Sequence, residues 1–265
     1  MWAFGDFVVT ISGISSDPPF IETIDTLLLG GFPVLSTTPS AFVASLYRSL
    51  TEERPQRVFF ANTNFIVQCQ SLRGRMYSER VCILNDGIGM DLAALFIHGR
   101  RFVSNLNGTD LIPYLCQHAP RPLRFFLLGA KPGVADMAAQ TLCQLGQLVV
   151  GTCDGYAQFI AAGEDLVESI NASGADVLLV ALGNPVQERW ILDHDVQLHT
   201  PLVFGVGALF DFMSGNVRRA PLWVRRVRGE WLYRLLLEPR RLFKRYSWDL
   251  LRFFGVCLLR RRGVN

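Results

Sequence analysis

The chain has 265 residues, half of them hydrophobic and 18% charged, with a formal net charge of +3. That length buries a sizeable core as one large or two small domains, and that apolar content excludes a disordered protein. The small net charge hides a division. Residues 216–265 hold 14 Lys and Arg against 3 Asp and Glu, a net +11, which leaves residues 1–215 at −8.

The N-terminal MWAFGDFVVTISGI is apolar but has no basic lead and carries Asp6 early, so it does not read as a secretory signal. No run approaches ~18 uninterrupted apolar residues, and any membrane contact is expected to be peripheral. The six cysteines form no CxxC pair and several sit in apolar runs such as VCIL. They read as reduced core thiols, and without ligand pairs a structural zinc site is not expected.

Residues 1–50 read as a looser α/β lead-in whose elements cannot be placed. After it, β-rich runs alternate with helical patterns. The expected strands are Val58–Ala61, Val81–Leu84, Arg124–Leu128, Gln147–Gly151, Asp176–Ala181 and Leu202–Gly205. Most are followed by Gly, Asn or Asp and then a helical stretch, the pattern of βα units feeding a parallel sheet. The expected fold is α/β: a Rossmann-like, mostly parallel sheet with flanking helices over 1–215, followed by a basic amphipathic helical appendage over 216–265.

From Pro221 onward the pattern is helical. Arg234, Arg241, Arg245 and Arg252 are spaced 7, 4 and 7 apart and would line one side of a continuous helix. Pro239 interrupts it, giving two amphipathic helices joined near Glu238–Pro239. Cationic and apolar residues on one short segment point to a surface that meets anions at an oil–water boundary.

Chemistry-bearing residues collect where strands are expected to end. In CILNDGIGMDLA, Asp86 stands where ligands bind in open α/β sheets, flanked by Gly87 and Gly89, which let a substrate approach the backbone. An N-cap aspartate is the plainer alternative. In FFANTNFIV, Asn62 and Asn64 suit sugar hydroxyls or a ribose, or else cap a helix. FFLLGAKPG sets Gly129 and Lys131 in a turn that could present backbone N–H groups and a cation to phosphate, although it is neither GxGxxG nor a Walker sequence. LVALGNPVQERW places Gly183, Gln187 and Glu188 after another strand, facing a donor or simply forming a solvated first turn. Asp193-His194-Asp195 resembles a DxD metal motif, yet carboxylates and histidine on an exposed helix face are ordinary, and no metal is expected. There is no GxSxG elbow.

Taken in order, NTN, NDGIG, NGTDL, FFLLGAKPG, DGY, ALGNPVQERW, GVGALFDFMSG, RRAP and EWLYRLLLEPRR resemble the WecG/TagA/CpsF family of bacterial glycosyltransferases, most nearly its GumM-type members. The match runs from about Val58 to Tyr246. The resemblance implies an inverting, metal-independent enzyme without cofactor. Such an enzyme moves a sugar from a UDP-sugar onto a polyprenyl-diphosphate-linked sugar during exopolysaccharide synthesis. It implies peripheral attachment at the cytoplasmic face of the inner membrane. It places the catalytic base at Asp86, donor or acceptor contacts at Asn62, Asn64, Gln187 and Glu188, and an arginine position of the family at Asn105 here, a departure. It also implies basic appendage residues reaching over the site, with Arg218, Arg219, Arg225, Arg226 and Arg234 as candidates. Trp231, Tyr233, Trp248, Phe253 and the arginines 241, 245 and 252 are expected to face an anionic membrane.

The GumM-type likeness points to glucose in a β-1,4 link, with N-acetylmannosamine or its uronic acid as alternatives within the family. A nucleic-acid-binding protein and a non-catalytic membrane scaffold are the readings from other classes. The acidic body and the ordered motifs count against nucleic acid.

Overall fold

The computed structural model describes residues 25–163, 165–217 and 250–260. The six expected strands are present as β3 (Gln56–Ala61), β4 (Val81–Asn85), β5 (Arg124–Gly129), β6 (Leu148–Cys153), β7 (Val177–Ala181) and β8 (Leu202–Gly205), shifted only at their ends. Two more lie in the stretch that sequence pattern left unplaced. These are β1 (Asp25–Leu29) and β2 (Phe32–Ser36), an antiparallel hairpin that turns at Gly30–Gly31. Gly30 has φ +57°, and a Cβ there would meet Ile66 Cγ2 at 2.5 Å, so a side chain would be both strained and obstructed.

The eight strands form one sheet in the order β1-β2-β4-β3-β8-β7-β5-β6, parallel throughout except at β1. The carboxyl ends of β2 to β8 therefore share one edge. Between the strands run α1 (Pro39–Thr51), α2 (Thr63–Gln68), α3 (Ile88–His98), α4 (Gly108–Gln117), α5 (Val134–Gln144), α6 (Ala157–Ala162), α7 (Asp165–Ala172), α8 (Val186–Asp193) and α9 (Leu209–Met213). A further helix, α10, covers 250–260.

Strand alternation sorts the core into two layers. Val34, Phe59, Ile83, Leu178 and Val203 pack with residues of α2, α3, α7, α8 and α10 on one face. Val58, Leu84, Leu127, Leu179 and Phe204 pack with α1, α4, α5 and α9 on the other. All five residues of β7 are buried, as expected of a central parallel strand covered on both sides.

At the opposite edge, Arg57 is wholly buried at the start of β3. Its guanidinium donates to Asp195 Oδ1 at 2.6 Å and to the carbonyls of Thr200 and Leu198. Asp193 meanwhile pairs with Arg75 at 2.6 Å. The DxD-like run is thus occupied in tying α8 to the sheet and the 3-10 turn Gln70–Met76, in keeping with its ordinary reading.

Helix α10 inserts Phe253 and Cys257, one turn apart, into the first core layer. Burial pushes the Cys257 thiol up to about 12. Phe253, expected to face a membrane, is instead 0% exposed and fastens the helix to the body. The i, i+4 spacing of these two residues supplies the inward face. Arg252, one residue earlier, is exposed. Arg218, Arg219, Arg225, Arg226, Trp231, Tyr233, Arg234, Arg241, Arg245 and Trp248, and the helix break near Pro239, lie outside the described residues.

Candidate functional site

The turn after β4 is built around Asp86. Gly87 takes φ +94° and ψ 163° and starts α3, a conformation that glycine adopts without strain. Three hydrogen bonds fix this turn. Asp86 N donates to Ala61 O at 2.8 Å, Gly87 N to Asn105 Oδ1 at 2.8 Å, and Leu106 N to Asn85 O at 3.0 Å. The Asp86 side chain stands half-buried at the shared strand edge.

The sequence placed Asn62 and Asn64 near Asp86, and the structure brings them there. Ala61 pairs with Asn85, and a Cβ on Gly89 would meet Thr63 Cγ2 at 2.5 Å, so the first turns of α2 and α3 abut. Asn62 caps α2, its Oδ1 accepting from Phe65 N at 3.1 Å. The capping alternative is therefore realised for that oxygen.

Asn85 was not anticipated. It ends β4 fully buried, and neither atom of its carboxamide has a hydrogen-bond partner among the described residues. A buried amide without a partner costs free energy, and this one lies directly before Asp86. The signal was an asparagine closing the apolar run VCIL.

Gln187 and Glu188 are brought to the same edge, but their side chains are engaged by the protein. Gln187 Oε1 accepts from Gly183 N at 3.2 Å and from Gly207 N at 3.0 Å, joining the turns after β7 and β8. Its Nε2 donates to Glu188 Oε1 at 2.8 Å, and Asn184 Nδ2 donates to the same oxygen at 2.5 Å. Glu188 is 0% exposed, and burial raises its carboxyl above the usual range against the opposing pull of these donors. The neighbouring Cys69 thiol is also pushed up, by burial first and then by Glu188. Expected as direct substrate contacts, the pair here hold two turns of the site together.

On the far side of the edge, Gly129 has φ +117° and approaches β7 so closely that a Cβ would meet Ala181 O at 2.5 Å. Beyond it, Lys131 is exposed beside a cleft of about 220 Å³ lined by Ala130, Gly155, Tyr156, Leu182 and Asp211. Buried Asp154 fixes the turn that carries Tyr156, its Oδ1 accepting from Tyr156 N at 2.8 Å. Tyr156 and Asp211 were missed in the sequence. Each sits inside a motif, DGY and LFDF, but its neighbours in space come from other strands.

Among the described residues no three His, Cys, Asp or Glu side chains gather as a metal site, and all six cysteines are unpaired.

An open, mostly parallel α/β sheet with polar and glycine turns along its carboxyl edge is the frame of enzymes that bind nucleotides and sugars at that edge. Residues 27–265 match the family model described as the Glycosyl transferase WecG/TagA/CpsF family. The chain belongs to that family, and with it to the glycosyltransferases, which join a sugar from a donor to an acceptor. The match takes in the β1–β2 hairpin from Leu27 on, as well as the region whose motifs carried the resemblance.

Proposed function

We propose that this protein is an inverting, metal-independent glycosyltransferase of the GumM type. It would move glucose from UDP-glucose onto a polyprenyl-diphosphate-linked sugar at the cytoplasmic membrane face, in exopolysaccharide assembly. The observation that carries the reading is Asp86, a carboxylate held by a fixed turn at the edge where an open α/β sheet binds its ligands. In this role Asp86 takes the proton from an acceptor hydroxyl as that oxygen attacks the anomeric carbon from the face opposite the leaving group. The glycosidic bond forms as the bond to UDP breaks, and configuration inverts.

The cleft at Lys131, Tyr156 and Asp211 suits the nucleotide end of the donor. The exposed tyrosine ring offers a face for a base, Asp211 an acceptor and Lys131 a cation for phosphate. From β4 to β7 are three strand spacings, about 14 Å, a reach that suits an extended nucleoside-diphosphate sugar. Charge growing on the departing diphosphate would be met by backbone N–H groups and by arginines of the 216–265 segment, whose planar forks grip phosphate in bidentate fashion.

A neutral donor is favoured over a uronic acid because Asn105 stands where the family resemblance puts an arginine, and its carboxamide oxygen is engaged at Gly87. A competition panel of UDP-glucose, UDP-N-acetylmannosamine and its uronic acid tests this. Preference for the uronic acid would defeat the glucose assignment.

A further inference from the structure

Helix α3 is apolar on both sides. Met90, Ala93 and Ala94 enter the core, while Leu92, Leu95 and Phe96 point outward at i, i+3 and i+4, with Phe96 64% exposed. A helix that is apolar all round is normally buried or set against a second apolar phase. Helix α10 repeats the arrangement on the same face of the sheet. Phe253 and Cys257 point in, and Leu251 and Leu259 are 69% and 75% exposed.

The charges around these leucines are mainly cationic, with Asp25 paired to Arg100 beside α3. Arg100 and Arg101 follow α3, and Arg252 and Arg260 are exposed on α10, whereas residues 250–260 contain no acid and the sole acid of α3, Asp91, is buried. A groove of about 470 Å³ between α2 and α10 is lined by Val67, Val256 and Leu259, with Arg252 on its wall.

We propose that α3 and α10 together form a lipid-facing surface of the folded body, docking it on a bilayer rich in anionic headgroups. The inference rests on the membrane reading above and extends it from the 216–265 appendage, which includes α10, to α3 of the catalytic body. Exposed leucine and phenylalanine flanked by arginine, with no exposed acid on either helix, match the headgroup–acyl boundary, where apolar burial and headgroup attraction act together. The groove presents an apolar slot beneath a guanidinium, the order in which an acyl chain lies beneath its phosphate. Because α3 departs from the Asp86 turn, Leu92 lies only six residues on, about 9 Å along the axis. Docking by α3 brings Asp86 to the headgroup layer, where the diphosphate of a lipid-linked acceptor resides.

The test is co-sedimentation of the full chain with vesicles of phosphatidylglycerol and phosphatidylcholine, alongside hydrogen exchange of the peptide over 88–98. The variants are Leu92→Ser/Phe96→Ser on α3 and Leu251→Ser/Leu259→Ser on α10. Each pair replaces exposed side chains, and unchanged circular dichroism confirms folding. Each pair should lower vesicle affinity by roughly tenfold, while transfer to a water-soluble short-chain acceptor stays at the wild-type rate. Vesicles should slow exchange over 88–98 in the wild type. If the wild type binds vesicles but the variants bind equally well and 88–98 is unprotected, the inference is overturned and the basic residues of 216–265 alone make the contact. Failure of the wild type to bind overturns the membrane reading itself. Loss of a concentration-dependent dimer in the α3 variant, with vesicle binding unchanged, overturns it in favour of a contact between copies.

Discussion

The backbone amide of Gly87 donates to Oδ1 of Asn105 across 2.8 Å, linking the turn that carries Asp86 to the loop ahead of α4. At this position the chain departs from the arginine that its family resemblance implies. A short neutral acceptor here serves geometry, since it holds the amide next to the candidate base.

Removing that acceptor should loosen the turn without removing the carboxylate. Asn105→Ala is expected to lower kcat about tenfold with KM for the donor nearly unchanged, because misplacing a base affects the transition state most. Asn105→Asp keeps an oxygen for Gly87 N and should recover most of the loss. Steady-state kinetics on the three proteins decide it. Equal damage from Ala and Asp would show that Asn105 does not act through this bond.

Glu188 makes stability depend on pH. Below the ordinary carboxyl value of about 4.5, the group is protonated in both the folded and unfolded chain. Above it the unfolded chain ionises first, so stability is lost as pH rises toward the raised folded value. Glu188→Gln keeps the shape and an acceptor for Asn184 and Gln187 but cannot ionise. Its melting temperature should exceed that of the wild type by a margin that widens as pH rises above the ordinary carboxyl value. A constant or shrinking margin would place the ionised carboxylate in a favourable setting.

Lys131 tests the donor cleft. Lys131→Ala should raise the donor KM by about five- to tenfold while kcat changes little, as for a contact shared by ground and transition states. A fall in kcat alone would move Lys131 from nucleotide binding to the departing diphosphate.

Phe253 sits in the body's core, so α10 contributes to folding. Phe253→Ala is expected to cost about 3–5 kcal/mol in denaturant unfolding, the usual range for a buried phenylalanine. A loss below about 1 kcal/mol would mean that the helix packs loosely on the body.

The six βα strands were legible because each is an apolar run, most of them closed by Gly, Asn or Asp. The β1–β2 hairpin was not, since its identity depends on pairing with β4 and on Gly30 fitting against Ile66. Asp86 and the Asn62 cap could be placed from strand ends alone. Gln187 could be located but its work could not, because its partners Gly183 and Gly207 flank two different strands. Tyr156 and Asp211 share a cleft only through the β7-β5-β6 order, which no local pattern reveals. Phe253 looked like an interfacial aromatic because an apolar residue beside arginine suits a membrane and a core equally. Burial decided for the core.

The most direct measurement is transfer of radiolabel from UDP-glucose to a synthetic glucosyl-diphosphate-lipid, with EDTA present, for the wild type and Asp86→Asn. The account predicts label in the lipid fraction with the wild type and a loss of roughly 10²–10⁴ in the variant, the range for removing a general base. Equal labelling by both proteins would contradict the central claim that Asp86 carries the reaction.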